Sequence, residues 1–146
     1  MYFKKKINKP LGELLLEREL ITSSQLEKAL RHQREKGGLV GEVLVSLGFV
    51  EESDIAYALS IQYGFPYLPL ENYEISPEIA NIISKQVAER YCAIPLDKVS
   101  NTLMVAMADP LNSHAVEDIE YVSNCVVQVF VSTSSNIRKA IEKYYK

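Results

Sequence analysis

The sequence predicts an α+β fold, in which an N-terminal helical tandem repeat of two helix–turn–helix units packs with a small three-stranded sheet covered by helices. Three observations predict it. Residues 10–33 match residues 39–62 at a constant offset of 29. The apolar residues of both stretches recur at helical rather than alternating spacing. Beyond Tyr63 that periodicity gives way to short apolar runs between turn residues, with helices among them. The expected division is a helical tandem-repeat subdomain over 1–63 and a small α/β subdomain over 64–146.

Seven repeat positions are identical: Gly12/Gly41, Glu13/Glu42, Leu15/Leu44, Ser24/Ser53, Ala29/Ala58, Leu30/Leu59 and Gln33/Gln62. Conservative pairs such as Leu11/Val40 and Leu26/Ile55 extend the match, so one supersecondary unit is used twice. Leu11, Leu14 and Leu15, then Leu26, Ala29 and Leu30, mark the two helices of the first unit. The chain breaks at Glu19-Leu20-Ile21 and at Gly48-Phe49-Val50. Gly48 suits a left-handed C-cap, and Thr22 with Gln25 is a capping-box pair. Glu19 stands at the Gly48 position, where a left-handed backbone costs a non-glycine about 1 kcal/mol, so the two copies need not turn alike. A spacer, 34–38, ends in Gly37-Gly38 and reads as a flexible joint. Glycine recurs at the third position of each copy, where helix–helix contact or the approach of a ligand would explain it. Gln33 and Gln62 close their units on the side of the apolar stripe, as solvated ends or as paired amides for a flat, hydrogen-bonding ligand.

In the second half, residues 65–70 form an extended lead-in. Ser76 as N-cap and Pro77 at the first helical position open a helix expected to run to about Arg90. Residues 93–99 and 102–108 read as strands joined at Ser100-Asn101. A helix follows from Asn112 or Ser113 through Tyr121, then a valine-rich strand over 125–131 and a last helix over 134–145. Glu89 and Arg90 close a helix, where pairing with its terminal carbonyls is expected. Asp109-Pro110 follows a strand directly, which suits either a turn or a carboxylate facing a ligand.

Composition narrows the function. The 146 residues are 47% hydrophobic and 24% charged, enough to bury a core without staples. No apolar run approaches the ~18 residues of a membrane span, and no secretory signal opens the chain, so a cytoplasmic protein without direct membrane insertion is expected. Cys92, Cys125, His32 and His114 lack metal-ligand spacing, and neither histidine has a partner at triad spacing. There is no phosphate-binding G-x-x-x-x-G-K-[ST], and no nucleophile–base arrangement stands out, so neither catalysis nor a cofactor is expected. The net charge of −3 conceals an asymmetry: 1–36 carry nine Lys/Arg against five Glu, and 37–84 contain no Lys or Arg. The second unit therefore has no cation for phosphates, which argues against nucleic acid.

The residues carry a resemblance. The tandem stretch Leu11-Gly12 to Gln33, repeated as Val40-Gly41 to Gln62, resembles the N-terminal domain of type II secretion and type IV pilus assembly ATPases. Ala88-Glu89-Arg90-Tyr91, Ile94-Pro95-Leu96 and Leu103 to Asp109-Pro110 are similar to the second part of that domain. The resemblance implies a non-catalytic regulatory and docking domain, peripheral at the inner membrane. Its implied partners are the cytoplasmic part of a secretion or pilus platform protein and a motor ATPase domain in cis or trans. Some members bind cyclic di-GMP through the tandem motif. The positions that match are Leu11, Gly12, Leu26, Leu30, Gln33, Val40, Gly41, Ile55, Leu59 and Gln62, with Asp109 added from the sheet half. Binding members open each motif with arginine, whose planar fork pairs with guanine. Here Pro10 and Leu39 stand there, with Lys9 adjacent to the first, so the implied nucleotide contact is weakened or lost.

Overall fold

The structure, a computed structural model, describes residues 10–145; Lys9 lies outside them. Helices α1 (Leu11–Glu17) and α2 (Ser23–Lys36) form the first unit, and α3 (Val40–Ser46) and α4 (Glu52–Tyr63) the second. The units turn alike. Glu19 takes φ 59° and Gly48 φ 78°. In both copies the same pair of bonds closes the first helix: Glu19 N to Leu16 O and Leu20 N to Leu15 O, matched by Gly48 N to Val45 O and Phe49 N to Leu44 O, all 3.0 Å. This is the Schellman arrangement, and its bonds, with Leu20 and Phe49 packed on the core, outweigh the left-handed penalty at Glu19.

The second helices are also capped in parallel. Thr22 Oγ1 accepts from Gln25 N while Thr22 N donates to Gln25 Oε1. Glu51 N donates to Asp54 Oδ2, one repeat later. The spacer is shorter than expected, because α2 continues through Lys36 and leaves Gly37, Gly38 and Leu39 as the joint. Both repeated glycines sit at helix contacts. A Cβ on Gly12 would lie 2.9 Å from Leu26 Cδ1, and one on Gly41 would lie 3.1 Å from Leu11 Cδ2 and 3.7 Å from Ile55 Cδ1.

Beyond Tyr63 the expected helix to Arg90 is two: α5 (Pro77–Ala80) and α6 (Lys85–Tyr91). Asn81 bonds back to the Pro77 carbonyl, Ser84 caps Val87 N, and the break turns Ile83 into the core. Tyr145 supplies the long-range cause. Its hydroxyl donates to the carbonyls of Ala80 and Ile83, which the interruption leaves free.

Strands β1 (Ala93–Val99) and β2 (Thr102–Met107) pair antiparallel, with a bulge between Pro95 and Asp97. Strand β3 (Val126–Val131) pairs parallel with β2, and α7 (Ser113–Ser123) makes the crossover that a parallel pair requires. The order is β1-β2-β3. The lead-in hooks onto the end of β3, where Val131 N donates to Pro66 O and Leu68 N to Val131 O. Helix α8 (Ser134–Tyr144) follows, capped by Thr133. One core cluster fills the space between the sheet and its helices. The other lies among α1–α4 and draws in Leu111 and Val131 from the sheet half.

A polar clamp joins the halves at the start of α8. Glu42 of α3 takes both Nε (3.0 Å) and Nη2 (2.7 Å) of Arg138, and Ser134 donates its hydroxyl to the same carboxylate. Arg138 Nη1 also donates to Glu89 O at 2.6 Å, so Arg138 takes the helix-end carbonyl expected for Arg90, which instead lies over the Tyr91 ring. At the first residue of α4, Glu52 Oε1 accepts from Ser135 N and Oγ, both at 2.8 Å.

Two stability outcomes follow from this architecture. Glu42→Ala strands a half-buried guanidinium and is expected to cost about 1–3 kcal/mol in chemical denaturation. Glu13→Ala, at the exposed repeat counterpart, is expected to stay within about 0.5 kcal/mol of wild type. Equal losses at the two positions would rule out the clamp. Glu19→Gly is expected to raise stability by about 1 kcal/mol by relieving the left-handed strain, and a loss would contradict that account.

Candidate functional site

A cleft open to solvent lies where the second unit meets the sheet half. Leu11, Leu39, Gly41, Val45, Ile55 and Ala56 form its apolar side. The opposite side comes from the ends of β2 and β3 and the start of α8: Ala108, Asp109, Ser132, Thr133 and Ser134. Glu42 and Glu52 stand at the junction. The local reason is topological. Two parallel strands end side by side, and the turns leaving them, one capped by Asp109 and the other by Thr133, face the same helices.

The sequence-predicted residues separate here. Leu11, Gly41, Ile55 and Asp109 come together in the cleft, and so does Leu39, which replaces a motif arginine. Gly12 and Leu26 pack against each other between α1 and α2. Leu30 and Val40 are half-buried, and Leu59 is fully buried in the helical core. Gln33 does not present a free amide: its Nε2 donates to Gly38 O at 2.9 Å and fixes the joint. Gln62 is exposed at the far end of α4. Reading the repeat as a symmetric ligand frame missed Glu52, Ser132 and Arg138, which come from positions where the copies differ or from the sheet half. The one available signal was the Ser132-Thr133-Ser134 run between strand and helix.

Asp109 makes both arrangements foreseen for it. Its Oδ1 accepts from Leu111 N at 3.1 Å, closing a turn, while its carboxyl lines the cleft. Burial pushes its pKa up to about 6, with the Leu111 bond pulling the other way. Glu42 differs: burial pushes it up, but Arg138 and Ser134 bond the anion and hold it below the usual carboxylate range. Cys92 is pushed up to about 11 by burial, so its thiol stays protonated at neutral pH and is no nucleophile. Ser132 is 2% exposed, and its Oγ has no hydrogen-bond partner among the described residues. Among those residues no cluster of three or more His, Cys, Asp or Glu is arranged to hold a metal, and no helix is long and apolar enough to cross a membrane.

The Asp109 shift sets a pH dependence. Its folded pKa lies above 3.8, so the neutral form's contribution to stability is complete below that pH and is lost as pH rises through about 6. Asp109→Asn keeps the turn acceptor and removes the buried charge. It is expected to be more stable than wild type by about 1–3 kcal/mol at pH 7.5 and to match it below pH ~4. Parallel stability curves across that range would refute the buried-carboxylate account.

Residues 63–146, more than half the chain, match the MshEN domain family. The type IV pilus assembly ATPase PilB of Myxococcus xanthus is 38% identical over 135 residues, covering 92% of this chain and 24% of that protein. The chain thus spans about a quarter of that relative. A solved structure of MshE with cdg is 27% identical and superposes at a TM-score of 0.67 over 94% of this chain and 99% of that one. The N-terminal domain of XpsE superposes at 0.75 over 99% of this chain and all of that one; at 22% identity it speaks for the fold. The chain therefore belongs to the MshEN family of N-terminal domains found in type II secretion and type IV pilus assembly ATPases, and it is not their catalytic domain.

Proposed function

We propose that this domain docks a motor ATPase domain, carried in cis or in trans, onto the cytoplasmic part of an inner-membrane secretion or pilus platform protein, and so works peripherally at that membrane. The observation that carries this reading is the outer face of α4. Tyr57 is 63% exposed and Ile61 58%, one turn apart, on a unit without a Lys or Arg between residues 37 and 84. The repeat supplies a control, because the matching positions of the first unit are Lys28 and His32. One scaffold thus carries a polar outer face in the first copy and an apolar, acid-flanked face in the second, which suits a protein partner of complementary charge. In this reading 1–63 presents the docking face and 64–146 is the base that holds it.

A second reading rests on the likeness to MshE, which was solved with cdg, cyclic di-GMP. Leu11, Gly41, Ile55 and Asp109 would form its contact set. Opposing it are Pro10 and Leu39 at the arginine positions, the engaged Gln33 amide and the carboxylates around the cleft. Loss of two bidentate arginine contacts, at about 1–3 kcal/mol each, places any affinity well below that of arginine-bearing members.

Calorimetry of the chain against the cognate platform fragment is expected to give micromolar or tighter binding. Tyr57→Ala with Ile61→Ala is expected to weaken it about tenfold or more, as loss of an aromatic anchor does. A flat titration for wild type would defeat the docking reading. For the nucleotide, melting-temperature shifts at millimolar cyclic di-GMP decide. A shift that Asp109→Asn abolishes, measured from that variant's own ligand-free melting temperature, would favour sensing, and no shift would end it.

A further inference from the structure

We propose that the cleft between α3, α4 and the start of α8 receives a single arginine or lysine side chain of the docked protein, its stem along Leu11, Leu39 and Ile55 and its charge against Asp109 and Ser132. This rests on the docking reading and deepens it by naming the chemistry of the partner residue.

Charge selects the occupant. The N-terminus of an eleven-residue helix ordinarily attracts an anion. At α8 that role is already filled from within the chain, because Glu52 accepts from Ser135 N and Oγ. Arg138, the cation beside the cleft, is engaged by Glu42 and by the Glu89 carbonyl. Asp109 is left facing the cleft without a cationic partner among the described residues, and its single hydrogen bond there comes from a backbone amide. A phosphate would meet Glu52 and Asp109 together, whereas an ammonium or guanidinium would neutralise a carboxylate that burial disfavours.

Ser132 points to a ligand independently. Its hydroxyl is enclosed at the end of β3, lines the cleft and lacks a partner, although buried polar atoms are ordinarily paired. A forked or three-donor cation reaching Asp109 supplies the missing bond. The apolar wall suits the methylene stem that both residues carry.

The test uses the chain itself, labelled with ¹⁵N and titrated with N-acetyl-arginine amide or with its uncharged match, N-acetyl-citrulline amide. The expected result is movement of the Gly41, Asp109 and Ser132 amides with the arginine probe alone, at least tenfold weaker in Asp109→Asn and reduced in Ser132→Ala. Equal responses to both probes, or none at tens of millimolar, would overturn the proposal, as would displacement of the arginine probe by micromolar cyclic di-GMP. The platform fragment separates the two levels. If wild type binds it and Asp109→Asn binds at least tenfold less tightly, the proposal is supported. Unchanged binding by Asp109→Asn leaves docking intact and removes the socket, whereas no binding by wild type removes docking itself.

Discussion

The bidentate pair between Glu42 and Arg138 is the contact on which the relation of the two halves depends. Two short helices of the second unit meet the sheet half largely through the turns that leave β2 and β3, and apolar contact alone permits sliding there. A carboxylate taking two guanidinium donors fixes both distance and orientation. The third guanidinium bond, to the Glu89 carbonyl, extends the same constraint to the end of α6. The cleft is a consequence: with α3 held at this angle, Gly41 and Ile55 face Asp109 and Ser132 across open space.

The repeat shows how little sequence change redirects a unit. Both copies keep the same Schellman turn, the same capping positions and the same glycine at a helix contact. The shared glutamate has become a clamp in one copy and remains exposed in the other. Leu59 is sealed in the core while Leu30 is half-buried, and Gln33 secures a joint while Gln62 faces solvent. Quasi-equivalent sequence here gives equivalent backbone with inequivalent surroundings, because the second copy lines the cleft with the sheet half while the first contributes Leu11 to it.

That difference explains what was legible in the sequence. The helices, their caps and the three strands follow from local rules, since periodicity, Thr22 with Gln25, Ser76-Pro77 and the Ser100-Asn101 turn each act within a few residues. The break in the helix after Ala80 was not legible, because Tyr145 stabilises it from 65 residues away. The turn at Glu19 stayed open for a related reason: the local penalty is clear, but the bonds and packing that outweigh it belong to the assembled unit. At the site, Asp109 was found from its place at a strand end. Ser132, Glu52 and Arg138 were not, because their roles exist only once α8 is set against α3 and α4.

The start of α8 shows why a site with the parts of an anion pocket is not one here. A helix N-terminus, serine and threonine hydroxyls and backbone amides are the usual ingredients for holding a phosphate. In this chain several are already engaged: Thr133 Oγ1 accepts from Asn136 N, Ser134 Oγ donates to Glu42, and Ser135 N and Oγ donate to Glu52. The second unit has supplied its own carboxylates as the anions, and the bonds that fasten it to the sheet take up Ser134 Oγ and Ser135 N and Oγ. What remains for a ligand is the residual acceptor character of Asp109 and the unpaired Ser132 hydroxyl beside an apolar wall. Fastening and recognition are therefore one problem in this fold, since the choice of Glu42 and Glu52 as fasteners also sets the sign of charge that the cleft accepts.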